Sequence, residues 1–112
     1  MRWTVLVVED NRALADTLAM ALSGVADLDV LVAYDGAEGR RLLADAHVLC
    51  TDLDLPRVRG ETLIGEFRTL KPGAPIIAMS AGPGEQAGAD RFFAKPYSAL
   101  QVRETIKGML HE

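Results

Sequence analysis

The sequence predicts an α/β fold, a doubly wound parallel sheet with helices packed on both faces. Three observations carry this. Strand-like and helix-like segments alternate along the chain, with no repeat, linker or low-complexity stretch between them. The strand-like segments are nearly unbroken aliphatic runs, the pattern of strands covered on both faces. Apolar residues make up 49% and charged residues 25% of 112 positions, a composition and length that suit one core but not two. One domain spanning residues 1–112 is therefore expected.

Residues 4–8 ("TVLVV") are β-branched and aliphatic and predict the first strand. Residues 11–23 predict a helix, with Leu14, Leu18, Ala21 and Leu22 at helical spacing and Gly24 placed to end it. Residues 30–33 predict a second strand, Asp35-Gly36 a turn, and residues 37–44 a short helix whose Leu42 and Leu43 face the sheet. Residues 47–51 ("HVLCT") predict the third strand, which ends at Asp52. Residues 61–70 predict a helix with Leu63, Ile64 and Phe67 on its apolar side, broken by Lys71-Pro72-Gly73. Residues 76–79 ("IIAM") predict a fourth strand and residues 91–94 ("RFFA") a shorter fifth. Ser98 opens the last helix with Gln101 as its capping-box partner, and Ala99, Val102, Ile106, Met109 and Leu110 form its apolar stripe.

One connection departs from the pattern. Residues 81–90 ("AGPGEQAGAD") alone join the fourth strand to the fifth, whereas a parallel crossover usually takes a dozen or more residues and a helix. Three glycines and a proline leave room for about one helical turn around residues 85–87. The fourth helix is expected to be vestigial or absent.

A formal charge of −4 argues against nucleic acid as a direct partner, which would favour clustered Lys and Arg. No apolar run approaches the roughly 18 residues of a membrane span, and "MRWTVLVVED" lacks the features of a signal peptide. Cys50 is the only cysteine, so no internal disulfide forms and its place in an apolar strand reads as packing. A cytoplasmic location is expected.

In open parallel sheets, ligands bind outside the carboxyl ends of the strands. Strand one delivers Glu9 and Asp10 to that edge, strand three Asp52, strand four Ser80 and strand five Lys95. Three carboxylates crowded together repel one another unless a cation neutralises them. An all-oxygen set without a His or thiolate cluster selects a hard ion, Mg²⁺ first. A lysine among the acids suits an incoming phosphoryl group. Each residue alone has a plainer reading: Asp10 as a helix cap, Ser80 as a turn residue, Lys95 as a solvated lysine. Their conjunction at one edge carries the functional reading.

These residues resemble the receiver domain of bacterial two-component response regulators over essentially the whole chain. "VLVVEDN" is similar to the family's first strand with its acidic pair, and "TDLDLPRVRG" to the phosphoacceptor aspartate with the Pro and Gly that follow. "IIAMSA" resembles the strand ending in Ser or Thr and a small residue, and "FFAKPY" carries the Lys-Pro signature. The resemblance implies a flavodoxin-like strand order 2-1-3-4-5 and a phosphoacceptor role. Asp52 takes a phosphoryl group from a histidine kinase or histidine phosphotransfer protein. Glu9, Asp10, Asp52 and the backbone carbonyl of Asp54 hold Mg²⁺, Lys95 pairs with a phosphoryl oxygen, and Ser80 binds another after phosphorylation. Phe92 occupies the place of a switch aromatic, acting by packing because it has no hydroxyl, and Lys95–Pro96 is expected to be cis. No enzymatic activity is implied beyond the domain's own phosphorylation and dephosphorylation, with output through a downstream protein partner. The missing helix removes part of the face through which the family commonly signals.

Three other readings use the same residues. Glu9, Asp52 and Asp54 also resemble the metal ligands of a Toprim domain, a Mg²⁺-dependent nucleotidyl-transfer or nuclease domain, and haloacid-dehalogenase phosphatases likewise use Asp-x-Asp. A pseudo-receiver that binds partners without phosphorylation is the third, although its usual hallmark is loss of the acids or lysine retained here. No effector domain is visible after Glu112, so a stand-alone receiver is expected, although a fragment ending after its last helix has the same sequence. Asp54 is expected to act mainly through its carbonyl, with its side chain near the phosphoryl entrance.

Overall fold

The computed structural model describes residues 1–83 and 87–111. Five strands form one parallel sheet: β1 (Trp3–Val8), β2 (Leu28–Ala33), β3 (Val48–Asp52), β4 (Ile76–Ser80) and β5 (Arg91–Ala94), in the order 2-1-3-4-5. Four helices lie among the described residues: α1 (Arg12–Ser23), α2 (Gly36–Leu42, continued by a 3₁₀ turn, Leu43–Asp45), α3 (Gly60–Leu70) and α4 (Ala99–Leu110). The order reverses between β1 and β3, and this opens a crevice at the carboxyl edge of the sheet.

Side-chain alternation along the strands divides the interior in two. Val5, Val7, Cys50, Ile77 and Met79 face Leu18 and Leu22 of α1 and Val102 and Ile106 of α4. Leu6, Val8, Leu49, Ile76 and Ala78 face Leu43 and the α3 residues Leu63, Ile64 and Phe67. All of these are buried, and each large aliphatic or aromatic side chain contributes roughly 1.5–3 kcal/mol by leaving water. Continuous aliphatic runs are thus required in β3, β4 and residues 5–8 of β1, which are buried at every position, whereas the edge strands β2 and β5 are partly exposed.

Several local expectations are corrected. The buried stripe of α1 is Ala15, Leu18 and Leu22, whereas Leu14 is exposed and Ala21 only half-buried. Asn11, not Asp10, caps this helix by accepting the Leu14 N–H at 3.2 Å. Asp35 likewise caps α2 by accepting the Glu38 N–H at 2.7 Å, and β2 begins at Leu28. His47 is a splint between strand starts, since its Nδ1 accepts the Thr4 N–H at 2.8 Å and its ring meets the edge of Trp3.

Between β4 and β5 no helix is present among the described residues, as the short connection requires. The turn expected around residues 85–87 falls largely on residues 84–86, outside the described residues. Ala87 and Ala89 pack against the α3-side core in place of a helix. Arg68 of α3 donates to the Gly88 carbonyl at 2.8 Å and to Asp90 Oδ1 at 3.0 Å, and Asp90 Oδ2 accepts the Ile76 N–H at 2.8 Å. Side-chain hydrogen bonds thereby fix the register of β5 that a longer crossover would otherwise set.

The loop after β3 turns at Arg57, whose φ of 65° lies in the left-handed region, and then brings Gly60 against the end of β3. A Cβ at Gly60 would collide with the Asp52 carbonyl oxygen and lie 2.7 Å from Leu53 Cα. Both obstacles are backbone and cannot rotate away. Gly60→Ala is expected to lower stability by about 2–3 kcal/mol, the cost of overpacking at a rigid contact. A denaturant midpoint equal to that of the wild type would contradict this close approach.

Candidate functional site

The sheet's hydrogen bonds continue one residue past β1, β3 and β5, and this places the functional side chains. The Glu9 N–H donates to the Ala33 carbonyl at 3.1 Å, that of Leu53 to Met79 at 2.9 Å, and that of Lys95 to Ser80 at 2.8 Å. Glu9, Asp52, Ser80 and Lys95 are thus held at one edge by the ladder itself. Glu9, Asp52 and Ser80 are buried, with relative exposures of 0%, 1% and 2%, while Asp10 is exposed.

Lys95 Nζ sits between two of the acids, 2.8 Å from Glu9 Oε1 and 2.9 Å from Asp52 Oδ2. The other Asp52 oxygen, Oδ1, accepts the Asp54 N–H at 3.0 Å. Glu9 Oε2 accepts the Asn11 N–H at 3.2 Å, a backbone contact that no residue-type rule in the sequence points to. The Lys95–Pro96 peptide is cis.

Burial pushes the Glu9 carboxyl up to about 7, against the pull of Lys95 and the Asn11 amide in the other direction. Lys95 is raised as well: burial alone would lower it, but Glu9 and Asp52 outweigh that. Because Glu9 lies above its ordinary value of 4.5, its contribution to stability is full below that value and is lost as pH rises through about 7.

Carboxylate oxygens of Glu9, Asp10 and Asp52 all lie within 4.8 Å of one another. This hard-oxygen set, with a partly exposed flank at Asp10, fits a hard divalent cation that keeps some of its water. The Asp54 side chain takes another direction. Its Oδ2 accepts the Ser80 hydroxyl at 2.8 Å and the Ala81 N–H at 3.3 Å. Ser80 Oγ in turn accepts the Gly82 N–H at 3.0 Å. The Toprim alternative needs both aspartate side chains on the metal, and the Asp54 carboxylate is not grouped with Glu9, Asp10 and Asp52. No sequence signal reveals this contact, which depends on the adjacency of β3 and β4.

Phe92 is half-buried and packs on the α3-side core, the cluster that Ala87 and Ala89 also pack against. Tyr97, just after the cis peptide, packs on the opposite core, and its buried hydroxyl has no hydrogen-bond partner among the described residues. Burial pushes the Tyr97 phenol up to about 12.

Comparison with known proteins agrees with this geometry. The response regulator receiver domain family matches residues 5–107. The probable transcriptional regulatory protein TcrX of Mycobacterium tuberculosis is 32% identical over 96% of this chain and 49% of its own length. The sensor histidine kinase TmoS of Ectopseudomonas mendocina is 32% identical over 95% of this chain but only 12% of its own length. The chain spans about half the length of the regulator and a small part of the kinase. A CheY-like receiver domain from Methanospirillum hungatei superposes with a TM-score of 0.88 at 24% identity, covering 99% of this chain and 95% of that one. A Francisella receiver domain gives 0.86 at 24%, covering 98% of each chain. Among the described residues no helix is long and apolar enough to cross a membrane. With a family match from β1 into α4 and the family's strand order in the sheet, this chain belongs to the response regulator receiver domain family.

Proposed function

We propose that the domain accepts a phosphoryl group on Asp52 from the phosphohistidine of a histidine kinase or histidine phosphotransfer protein, and that this changes its affinity for a downstream protein. The observation that carries the proposal is the buried Asp52 carboxylate at the end of β3, within 2.9 Å of Lys95 Nζ and grouped with Glu9 and Asp10. An Asp52 oxygen attacks phosphorus, the new O–P bond forms as the P–N bond breaks, and the electron pair returns to the imidazole nitrogen. Such a transfer needs positioning and charge neutralisation more than acid–base work. The Asp54 N–H orients Asp52, and Lys95, now bonded to Asp52 Oδ2, would meet a phosphoryl oxygen. Glu9, Asp10, Asp52 and the Asp54 carbonyl would hold Mg²⁺, which when bound neutralises charge on the carboxylates and the transferred group. The reading gives the chain no activity beyond its own phosphorylation and dephosphorylation, and a cytoplasmic setting with its kinase.

The test is the chemical character of the label after transfer from an autophosphorylated histidine kinase. An acyl phosphate is cleaved by neutral hydroxylamine, whereas a phosphoester on Ser80 survives it. Hydroxylamine-stable label, or no transfer from any phosphodonor, would overturn the proposal.

Glu9 also sets a pH dependence. It faces Asp10, Asp52 and Lys95, with Cys50 and Tyr97 nearby, and below about pH 7 it holds a proton that the metal must displace. The Kd for Mg²⁺, measured by calorimetry, should rise about tenfold per pH unit below 7. A flat profile between pH 5.5 and 8 would show that Glu9 does not compete for protons and metal in this way.

A further inference from the structure

We propose that the Asp54 carboxylate is a latch that holds the Ser80 hydroxyl away from Asp52, so that activation exchanges one anion for another at Ser80. This rests on the phosphoacceptor reading of Asp52 and adds a positioning role for Asp54. Three bonds define the latch. The Ser80 hydroxyl donates to Asp54 Oδ2 at 2.8 Å, the Ala81 N–H donates to the same oxygen at 3.3 Å, and the Gly82 N–H donates to Ser80 Oγ at 3.0 Å. A hydroxyl has one proton to donate. While that proton is on Asp54, it is not available to a phosphoryl oxygen on Asp52.

The neighbouring donors are already committed. Asp52 Oδ1 takes the Asp54 N–H and Oδ2 takes Lys95. Ser80 is buried whereas Asp54 is exposed, so the carboxylate can swing into water while the serine cannot follow it. A phosphoryl group on Asp52 brings charge close to −2 and three acceptor oxygens into the same space. It competes for the Ser80 hydroxyl and the Ala81 N–H and repels the Asp54 carboxylate. Ser80 and Ala81 open the shortened connection to β5, so the exchange acts first on the backbone that enters it. A single carboxylate two residues from the acceptor thereby biases the switch toward its resting position.

The experiment uses beryllofluoride with saturating Mg²⁺ as the phosphoryl mimic, and a double-mutant cycle on Asp54 and Ser80. Releasing a charge-assisted bond and a nearby repulsion should tighten beryllofluoride binding by Asp54→Ala about tenfold. In a Ser80→Ala background, where there is no hydroxyl to release, Asp54→Ala should gain less than about twofold. An equal gain in both backgrounds would mean that Asp54 acts by repulsion alone, and would overturn the latch. Without any phosphoryl mimic, amide exchange at Ala81 should accelerate in Asp54→Ala, and no change there would also overturn it. Asp54→Asn keeps an acceptor oxygen and should slow that exchange back toward the wild-type rate. A wild-type protein that neither binds beryllofluoride nor takes a phosphoryl group would refute the phosphoacceptor reading. The Ala81 exchange result, which needs no phosphoryl group, judges the latch separately.

Discussion

Wild-type protein incubated with acetyl phosphate and Mg²⁺ should gain one phosphoryl group by intact-mass measurement, and Asp52→Asn should gain none. Asparagine has the size of aspartate, and its Oδ1 can still accept the Asp54 N–H that now bonds to the carboxylate at 3.0 Å. What it lacks is a nucleophilic oxygen, since the amide delocalises its electrons and its NH₂ faces Lys95 as a second donor. The loss of uptake should be at least about a thousandfold, the scale on which removal of a nucleophile acts. Stability should change little in comparison, because the lost Lys95 bond is offset by relief of crowding with Glu9 and Asp10. Circular dichroism and a denaturation midpoint would separate lost chemistry from lost fold. Undiminished phosphate uptake by a folded Asp52→Asn protein would move the acceptor to another residue.

Lys95→Met should have the second largest effect, and on two properties. Methionine fills much of the space of the lysine stem but leaves Glu9 and Asp52 without their shared cation, which now lies 2.8 and 2.9 Å from them. Breaking a buried ion pair from one side costs about 3 kcal/mol or more at neutral pH, because the stranded carboxylates stay out of water. The loss should shrink near pH 5.5, where Glu9 is protonated, and at high Mg²⁺, where a cation returns to the carboxylates. The sign follows from Glu9, whose raised position makes its charge unfavourable in the fold as pH rises. Beryllofluoride affinity should fall as well, by roughly a hundredfold for the loss of a close charge contact. Thermal melts at pH 5.5 and 7.5, with and without Mg²⁺, check the first property and calorimetry the second. A loss of stability independent of pH and Mg²⁺ would point to packing of the lysine stem instead.

The edge of the sheet was legible in the sequence because a strand buried on both faces ends where its aliphatic run ends. Glu9, Asp52 and Lys95 are the first charged residues after such runs and Ser80 the first polar one after its own, so their convergence follows from parallel topology alone. The absent helix was legible too, since residues 81–90 are too few and too rich in glycine for a full crossover. Contacts that depend on how loops cross were not. Asp54 is two residues from Asp52 in the chain, yet its carboxylate meets Ser80 across the β3–β4 boundary. Asp10 and Asn11 both suit a helix cap, and which one acts is decided by where the chain leaves β1. Leu14 and Ala15 both suit the spacing of Leu18 and Leu22, at four and three residues before Leu18, and the helix phase buries the smaller one. Tyr97 gives no hint in sequence that its hydroxyl is buried without a partner among the described residues.

The central claim is that Asp52, and no other group at this edge, forms the bond to phosphorus. Reduction of the phosphorylated wild-type protein with borotritide converts an aspartyl phosphate to tritiated homoserine, and peptide sequencing then locates the label. All of the tritium should appear at position 52, and none should be incorporated without a phosphodonor. Label at Asp10 or Asp54, or phosphorylated protein that incorporates no tritium, would contradict the account.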